Sequence, residues 1–175
     1  MTTGLFVGRF QPFHNAHLID IKNAITEVDK LIILIGSSQY KHAPENPFTV
    51  EERVLMVQVA LHSENIKNCS IFSLEDINDD SKWVDYVSSN IPKFDIIFSG
   101  NPRVIRLFRE KNIPVRKVKH IRNISGTLIR ERMNLSMEWK IDMPLDVIKL
   151  IENIDGINRV KRLFRETGLR EPKLH

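Results

Sequence analysis

The 175-residue chain is long enough for a single core that buries roughly 70% of its unfolded surface, and its 42% hydrophobic and 27% charged residues exclude both a disordered and a membrane-embedded chain. A lone Cys69 excludes an internal disulfide or a cysteine-built zinc site and reads as core filler, and no apolar run approaches the roughly 20 residues of a membrane helix, so a cytoplasmic protein without a membrane partner is expected. The net charge of +4 suits either a nucleic-acid binder or an enzyme whose substrates carry several phosphates.

In chain order, short apolar runs at 4–7, 31–35, 70–74, 95–98 and 115–118 lack the alternation of a strand with one wet face and predict buried parallel strands. Helical spacing falls between them: 16–27, with Leu18, Ile21 and Ile25 on one stripe; 49–62, with Val50, Val54, Val57 and Leu61; and 102–109. Helices at 125–133, 145–152 and 156–164 follow the last strand. The alternation predicts an α/β, doubly wound, Rossmann-like parallel sheet of about five strands, with ligands at the strands' carboxyl ends near the switch in strand order. One domain over 1–168 is expected, its part 136–168 a small helical extension, followed by a frayed tail at 169–175. Arg159, Lys161, Arg162, Arg165 and Arg170 read as a solvated basic helix face.

The stretch Gly8-Arg9-Phe10-Gln11-Pro12-Phe13-His14-Asn15-Ala16-His17 joins the first strand to the first helix, where such sheets bind ligands. Gly8 lets backbone approach a ligand, Pro12 stiffens the turn, and the N–H groups of the helix start favour an anion. His14 and His17 project from the first helical turn toward one region, suited to stabilising charge on phosphate oxygens, and Arg9 adds a cation. Singly, each is equally a packing histidine or a turn glycine; their combination is what points to phosphate.

Farther along, Ile124-Ser125-Gly126-Thr127-Leu128-Ile129-Arg130 reads as a helix start with Ser125 as N-cap. A helix cap accounts for Ser125 alone, whereas a phosphate clamp accounts for Ser125, Thr127 and Arg130 together. The two stretches resemble the paired signatures of the nucleotidyltransferase superfamily that includes the nicotinamide mononucleotide, pantetheine phosphate and glycerol phosphate transferases. The resemblance implies catalytic roles for His14, His17 and Arg130, and ATP or phosphate contacts from Gly8, Arg9, Phe10, Ser125, Gly126, Thr127 and Gly100. Relatives usually carry glycine where this chain has Ala16; the added methyl is small and alanine favours helix, so activity is expected to survive.

The segments Gly36-Ser37-Ser38-Gln39, Asn46-Pro47-Phe48-Thr49-Val50-Glu51-Glu52-Arg53, Asp76-Ile77 with Trp83-Val84, and Ser99-Gly100-Asn101-Pro102 extend the resemblance to the archaeal type of nicotinamide-nucleotide adenylyltransferase. It implies an acceptor site of Gly36, Ser37, Ser38, Asp76, Ile77, Trp83 and Asn101, with Trp83 stacking on the cationic pyridinium. Trp83 also reads as a core tryptophan and Asn101 as a helix cap. Asp80 stands where close relatives carry an amide, and Arg53 is expected to pair with Glu51 or Glu52 rather than with a phosphate.

The reaction implied transfers AMP from ATP to nicotinamide mononucleotide, giving NAD and pyrophosphate. Mg²⁺ is expected on the substrate phosphates rather than on protein ligands, and the resemblance implies a homo-oligomer, a hexamer. Two alternatives remain: the same chemistry on flavin mononucleotide, phosphopantetheine or a cytidylyl-transfer partner, and a non-catalytic nucleotide- or nucleic-acid-binding regulator. Intact His14, His17, Ser125 and Arg130 weigh against the regulator, and no nucleic-acid partner is expected.

Overall fold

Strand β1 (Thr3–Gly8) and strand β2 (Lys30–Ile35) pair in parallel from Thr3 opposite Lys30 to Gly8 opposite Ile35. The computed structural model describes residues 1–118 and 124–168; the expected frayed tail 169–175, with Arg170, lies outside the described residues. Strand β3 (Cys69–Ser73) lies beside β2, strand β4 (Ile96–Ser99) on the other side of β1, and strand β5 (Val115–Lys117) beyond it, giving the parallel order β3-β2-β1-β4-β5. This is the doubly wound sheet read from the sequence. Its order switches between β1 and β4, which is where the crevice for a ligand opens.

The strands' alternating side chains feed two cores. Leu5, Ile32, Leu34 and Ile97 pack against helices α3 (Asp80–Asn90) and α4 (Pro102–Glu110). Phe6, Ile33, Ile35 and Phe98 face α1 (Asn15–Ala24), α2 (Val50–Ser63) and the C-terminal helices. At the sheet edges the expectation of buried strands fails in part: Ser70 and Arg116 are exposed, because β3 and β5 each have one neighbouring strand and incomplete cover. Cys69, on β3, is half-buried; burial pushes its thiol up to about 11, which leaves it unreactive at neutral pH.

Helix α3 was not anticipated. Trp83, Val84 and Val87 have helical spacing, but they sit among Asp and Ser residues of modest helix propensity. Their burial against Phe108 and its neighbours supplies what propensity lacks, and Asp79 caps the helix by accepting from Ser81 N at 3.0 Å.

Helix α5 (Gly126–Asn134), a 3₁₀ turn at Lys140–Asp142, α6 (Leu145–Asn153) and α7 (Gly156–Glu166) bury Met133, Val147, Ile151 and Val160 in the same core as α2. The basic stretch of α7 is not uniformly solvated. Arg159 donates to both oxygens of Glu52, at 2.8 and 2.6 Å, and to the Pro47 carbonyl, so it ties α7 to the start of α2, while Arg162 and Arg165 are exposed as expected. Among the described residues no helix is long and apolar enough to cross a membrane.

Candidate active site

The first motif leaves β1 through Gly8, and the chain turns so sharply that Phe10 adopts φ +53°. The Phe10 ring swings back beneath the strand; a Cβ on Gly8 would stand 2.7 Å from it. Glycine at position 8 therefore makes room for the Phe10 ring, a packing role that the sequence reading did not give it. Phe10 itself is 1% exposed, so its ring belongs to the core and only its backbone can serve a phosphate.

Helix α1 starts with His14 as N-cap, in extended backbone. The Nδ1 of His17 accepts from the backbone N–H of His14 at 3.3 Å, the two imidazoles stack with centroids 3.6 Å apart, and Phe10 meets His17 edge-on at 4.8 Å. Burial, with a smaller contribution from neighbouring His14, holds the His17 pKa well below 6.5. His17 is thus neutral at pH 7, and because Nδ1 accepts, its proton sits on Nε2. A histidine NMR titration of the free protein should give a His17 midpoint below 6.5, rising toward 6.5 in His14→Gln, where the neighbouring imidazole is removed. A wild-type midpoint at or above that value would contradict the assigned tautomer and the burial that causes it.

The second motif meets the first through Arg130, which is buried on α5. Its Nη1 donates to the Gln11 carbonyl at 2.7 Å and its Nη2 to Thr127 Oγ1 at 3.2 Å, while Nε is buried without a partner among the described residues. Burial, and then the nearby Arg9 cation, lower its pKa to about 10, so it keeps its charge at neutral pH. Ser125 caps α5 by accepting from Leu128 N at 3.2 Å. Gly126 has a packing role: a Cβ there would stand 2.8 Å from the Gln11 carbonyl oxygen, so glycine lets the start of α5 close onto the first motif.

Between these elements, at the carboxyl ends of β1 and β4, lies a cavity of about 400 Å³. Arg9, His14 and His17 line it from the first motif, Ser125, Thr127 and Arg130 from the second, and Gly100 and Asn101 from the turn after β4. Gly126, Phe10 and the Ala16 methyl complete parts of its wall. The cavity collects cations, neutral N–H donors and the N-termini of α1 and α5, an arrangement suited to a polyphosphate. Among the described residues there is no group of three or more His, Cys, Asp or Glu placed to hold a metal ion.

The acceptor group expected from the sequence is brought together only in part. Asn101 reaches the cavity, its Oδ1 capping α4 by accepting from Arg103 N at 2.9 Å, which leaves Nδ2 as the group that can meet a ligand. Gly36, Ser37, Ser38 and Asp76 instead lie beyond β1, at the carboxyl ends of β2 and β3, and do not line the cavity. Their polar groups bond one another: Ser37 Oγ to Asp76, Ser38 N to the Leu74 carbonyl, and Asp76 N to Gln39 Oε1. Ile77 packs on the second core.

Trp83 requires correction as a stacking platform. It is 5% exposed, set edge-on to Phe108 at 5.6 Å, and the Arg103 guanidinium lies 5.5 Å from the ring centroid. Both carboxylate oxygens of Asp80 are engaged, by Arg103 and Arg106, on the exposed side of this cluster. Nor does Arg53 pair with a helix acid; among the described residues it bonds backbone carbonyls, while Glu52 pairs with Arg159. Gln11 was missed as a functional residue. Its side chain brackets Phe48, donating to the Phe48 carbonyl at 2.8 Å and accepting from its N–H at 3.1 Å, and no local sequence signal marks so distant a partner.

A parallel sheet with a cavity at its switch point, lined by cations, two imidazoles and two helix N-termini, is the architecture of a nucleotide-binding α/β protein of the nucleotidyl-transfer type. The chain belongs to the cytidylyltransferase-like family, whose model matches residues 5–132. It is 44% identical over 159 residues to the nicotinamide-nucleotide adenylyltransferase of Thermoplasma acidophilum, covering 90% of this chain and 89% of that protein. It is 45% identical over 161 residues to the protein of the same name from Methanococcus aeolicus, covering 91% and 93%. Among solved structures, a bifunctional NMN adenylyltransferase/ADP ribose pyrophosphatase from Francisella tularensis, complexed with AMP and a manganese ion, matches with TM-score 0.79 and 26% identity. The match covers 96% of this chain and 53% of that one, so the chain spans about half the length of the bifunctional protein.

Proposed function

We infer that the chain is an adenylyltransferase that joins the AMP moiety of ATP to nicotinamide mononucleotide, releasing pyrophosphate and forming NAD. The observation that carries this reading is the meeting of both motifs in one cavity: Arg9 and His17 from the first motif and Arg130 from the second line it together at the strand switch. The names of the archaeal relatives, which match along nearly the whole chain, support the acceptor.

In the reaction an oxygen of the acceptor's phosphate attacks the α-phosphorus of ATP in line, the bond to the bridging oxygen breaks, and pyrophosphate leaves with that electron pair. No covalent enzyme intermediate is needed. The chain contributes positioning, worth up to roughly 7–11 kcal/mol when two bound reactants are well aligned, and electrostatic stabilisation. Neutral His17 donates Nε2–H to an oxygen of the α-phosphate, where charge builds. Arg9, Arg130 and the N–H groups starting α5, with Ser125 and Thr127, hold the β- and γ-phosphates. ATP enters as its complex with a divalent cation, Mg²⁺ in this reading, coordinated by phosphate oxygens. Asn101 Nδ2 and the Gly100 backbone meet the nucleotide at the β4 side.

The reaction runs in the cytoplasm, and the chain assembles as a homohexamer whose contacts would cover exposed Leu55, Met137, Ile141 and Leu145; a monomer in light scattering would remove the hexamer. The test of function is product formation from ATP and Mg²⁺ with nicotinamide mononucleotide, flavin mononucleotide and phosphopantetheine offered separately. NAD is expected to form fastest. A different dinucleotide would keep the chemistry and overturn the acceptor; no product with any of them would overturn both.

A further inference from the structure

Arg53 is fully buried, and among the described residues its guanidinium meets no carboxylate: Nη1 donates to the carbonyls of Arg9 at 3.0 Å and Gly36 at 2.9 Å, Nη2 to Ser37 at 3.1 Å and Nε to Thr49 at 3.3 Å. This is a costly place for a cation. Burial lowers its pKa to about 10, nearby Arg9 opposes the charge, and the first turn of α2 presents the positive end of the helix dipole; the fields of Glu51 and Asp76 offset these only in part.

What the cation holds lies at one point of the sheet. The β1–β2 ladder ends at the bond from Gly36 N to the Gly8 carbonyl, and the two chains then part. Just past the split each adopts a left-handed backbone at a residue that is not glycine, Phe10 with φ +53° and Ser37 with φ +55°. Such residues persist only where the surroundings over-determine them. Arg53 bonds the carbonyl just before Phe10 and the carbonyls before and at Ser37. Arg130 bonds the carbonyl of Gln11 from the other side, so the Arg9–Gln11 turn is clamped between two buried guanidinium groups.

We propose that Arg53 is a positioning residue for the nucleotide site, fixing the divergence of the β1 and β2 ends so that Arg9 is presented to the substrate phosphates. It touches no substrate; it acts through Arg9. The proposal rests on the phosphate role given above to Arg9 and deepens it.

The test is a double-mutant cycle on ATP affinity, measured by titration calorimetry with Mg²⁺ present, for the wild type, Arg53→Lys, Arg9→Ala and the double variant. Lysine keeps the charge but brings one nitrogen in place of the fork that reaches four carbonyls. Arg53→Lys is expected to weaken ATP binding about tenfold when Arg9 is present and less than twofold when position 9 is alanine, since coupled residues are non-additive. Loss by the same factor in both backgrounds, or no loss, overturns the proposal. If Arg53→Lys does not fold by circular dichroism, Arg53→Ala is assayed with guanidinium at non-denaturing concentration: recovery of affinity supports the proposal, and failure to recover in a folded variant overturns it. Wild-type protein that binds no ATP would instead bring down the functional reading itself, whereas wild-type binding with an unaffected Arg53→Lys removes only the role of Arg53.

Discussion

Replacing His17 by alanine should lower turnover about a hundredfold or more with the fold intact, the size expected when one preorganised donor to a developing oxyanion is removed. The expectation depends on three features of its setting. Nδ1 is occupied by the His14 N–H, which leaves Nε2–H as the donor, and burial keeps the ring neutral. Phe10 and stacked His14 hold the imidazole plane, so the donor is in place before substrate binds. Alanine removes the donor and the acceptor that caps His14 N, but water can reach the start of α1 and replace the second. Steady-state kinetics with both substrates saturating, together with a thermal melt, make the comparison. Turnover near that of the wild type would take His17 out of the mechanism.

Arg130→Lys should show two losses at once. Removing the fork leaves the buried Gln11 carbonyl short of its partner, which costs about 1–3 kcal/mol of stability. It also replaces the fixed fork beside the phosphates with a single ammonium on a flexible stem, so kcat/KM should fall about a hundredfold; a lysine amine cannot hold Gln11, Thr127 and a phosphate oxygen in one geometry. Denaturant unfolding reads the first loss and kinetics the second. Full activity in a destabilised variant would reduce Arg130 to a structural staple between the motifs, and full stability would mean that its bond to Gln11 is replaceable.

Arg130 and Arg53 show how far the amino-acid sequence could be read. Both were visible as cations near motifs. Arg53 was read toward Glu51 or Glu52 and Arg130 toward phosphate, and neither reading reached the backbone partners, because the Gln11 carbonyl lies 119 residues from Arg130 and the carbonyls on Arg53 come from two strand ends and a helix cap. The same limit hid the packing roles of Gly8 and Gly126, each of which makes room for the chain's own atoms, the Phe10 ring and the Gln11 carbonyl. Trp83 shows the converse: its aromatic face suits a pyridinium, but whether that face is open depends on Phe108 and Arg103, which belong to a different helix.

What the sequence determined by itself was local in origin: apolar runs without alternation for strands, a 3.6-residue stripe for most helices, a serine cap before α5, and two motifs whose residues line one cavity. These follow from backbone geometry and propensity, which act over a few residues. The tertiary structure alone decided that α3 forms on a polar segment, that Arg53 and Arg130 clamp the Arg9–Gln11 turn, that Arg159 leaves the basic face to pair with Glu52, and that the expected acceptor residues divide between the cavity and the far side of β1. The physical reason is burial. Once the sheet removes a backbone carbonyl or a guanidinium from water, its partner must come from whatever element packs there, and that choice depends on the whole fold rather than on neighbours in sequence.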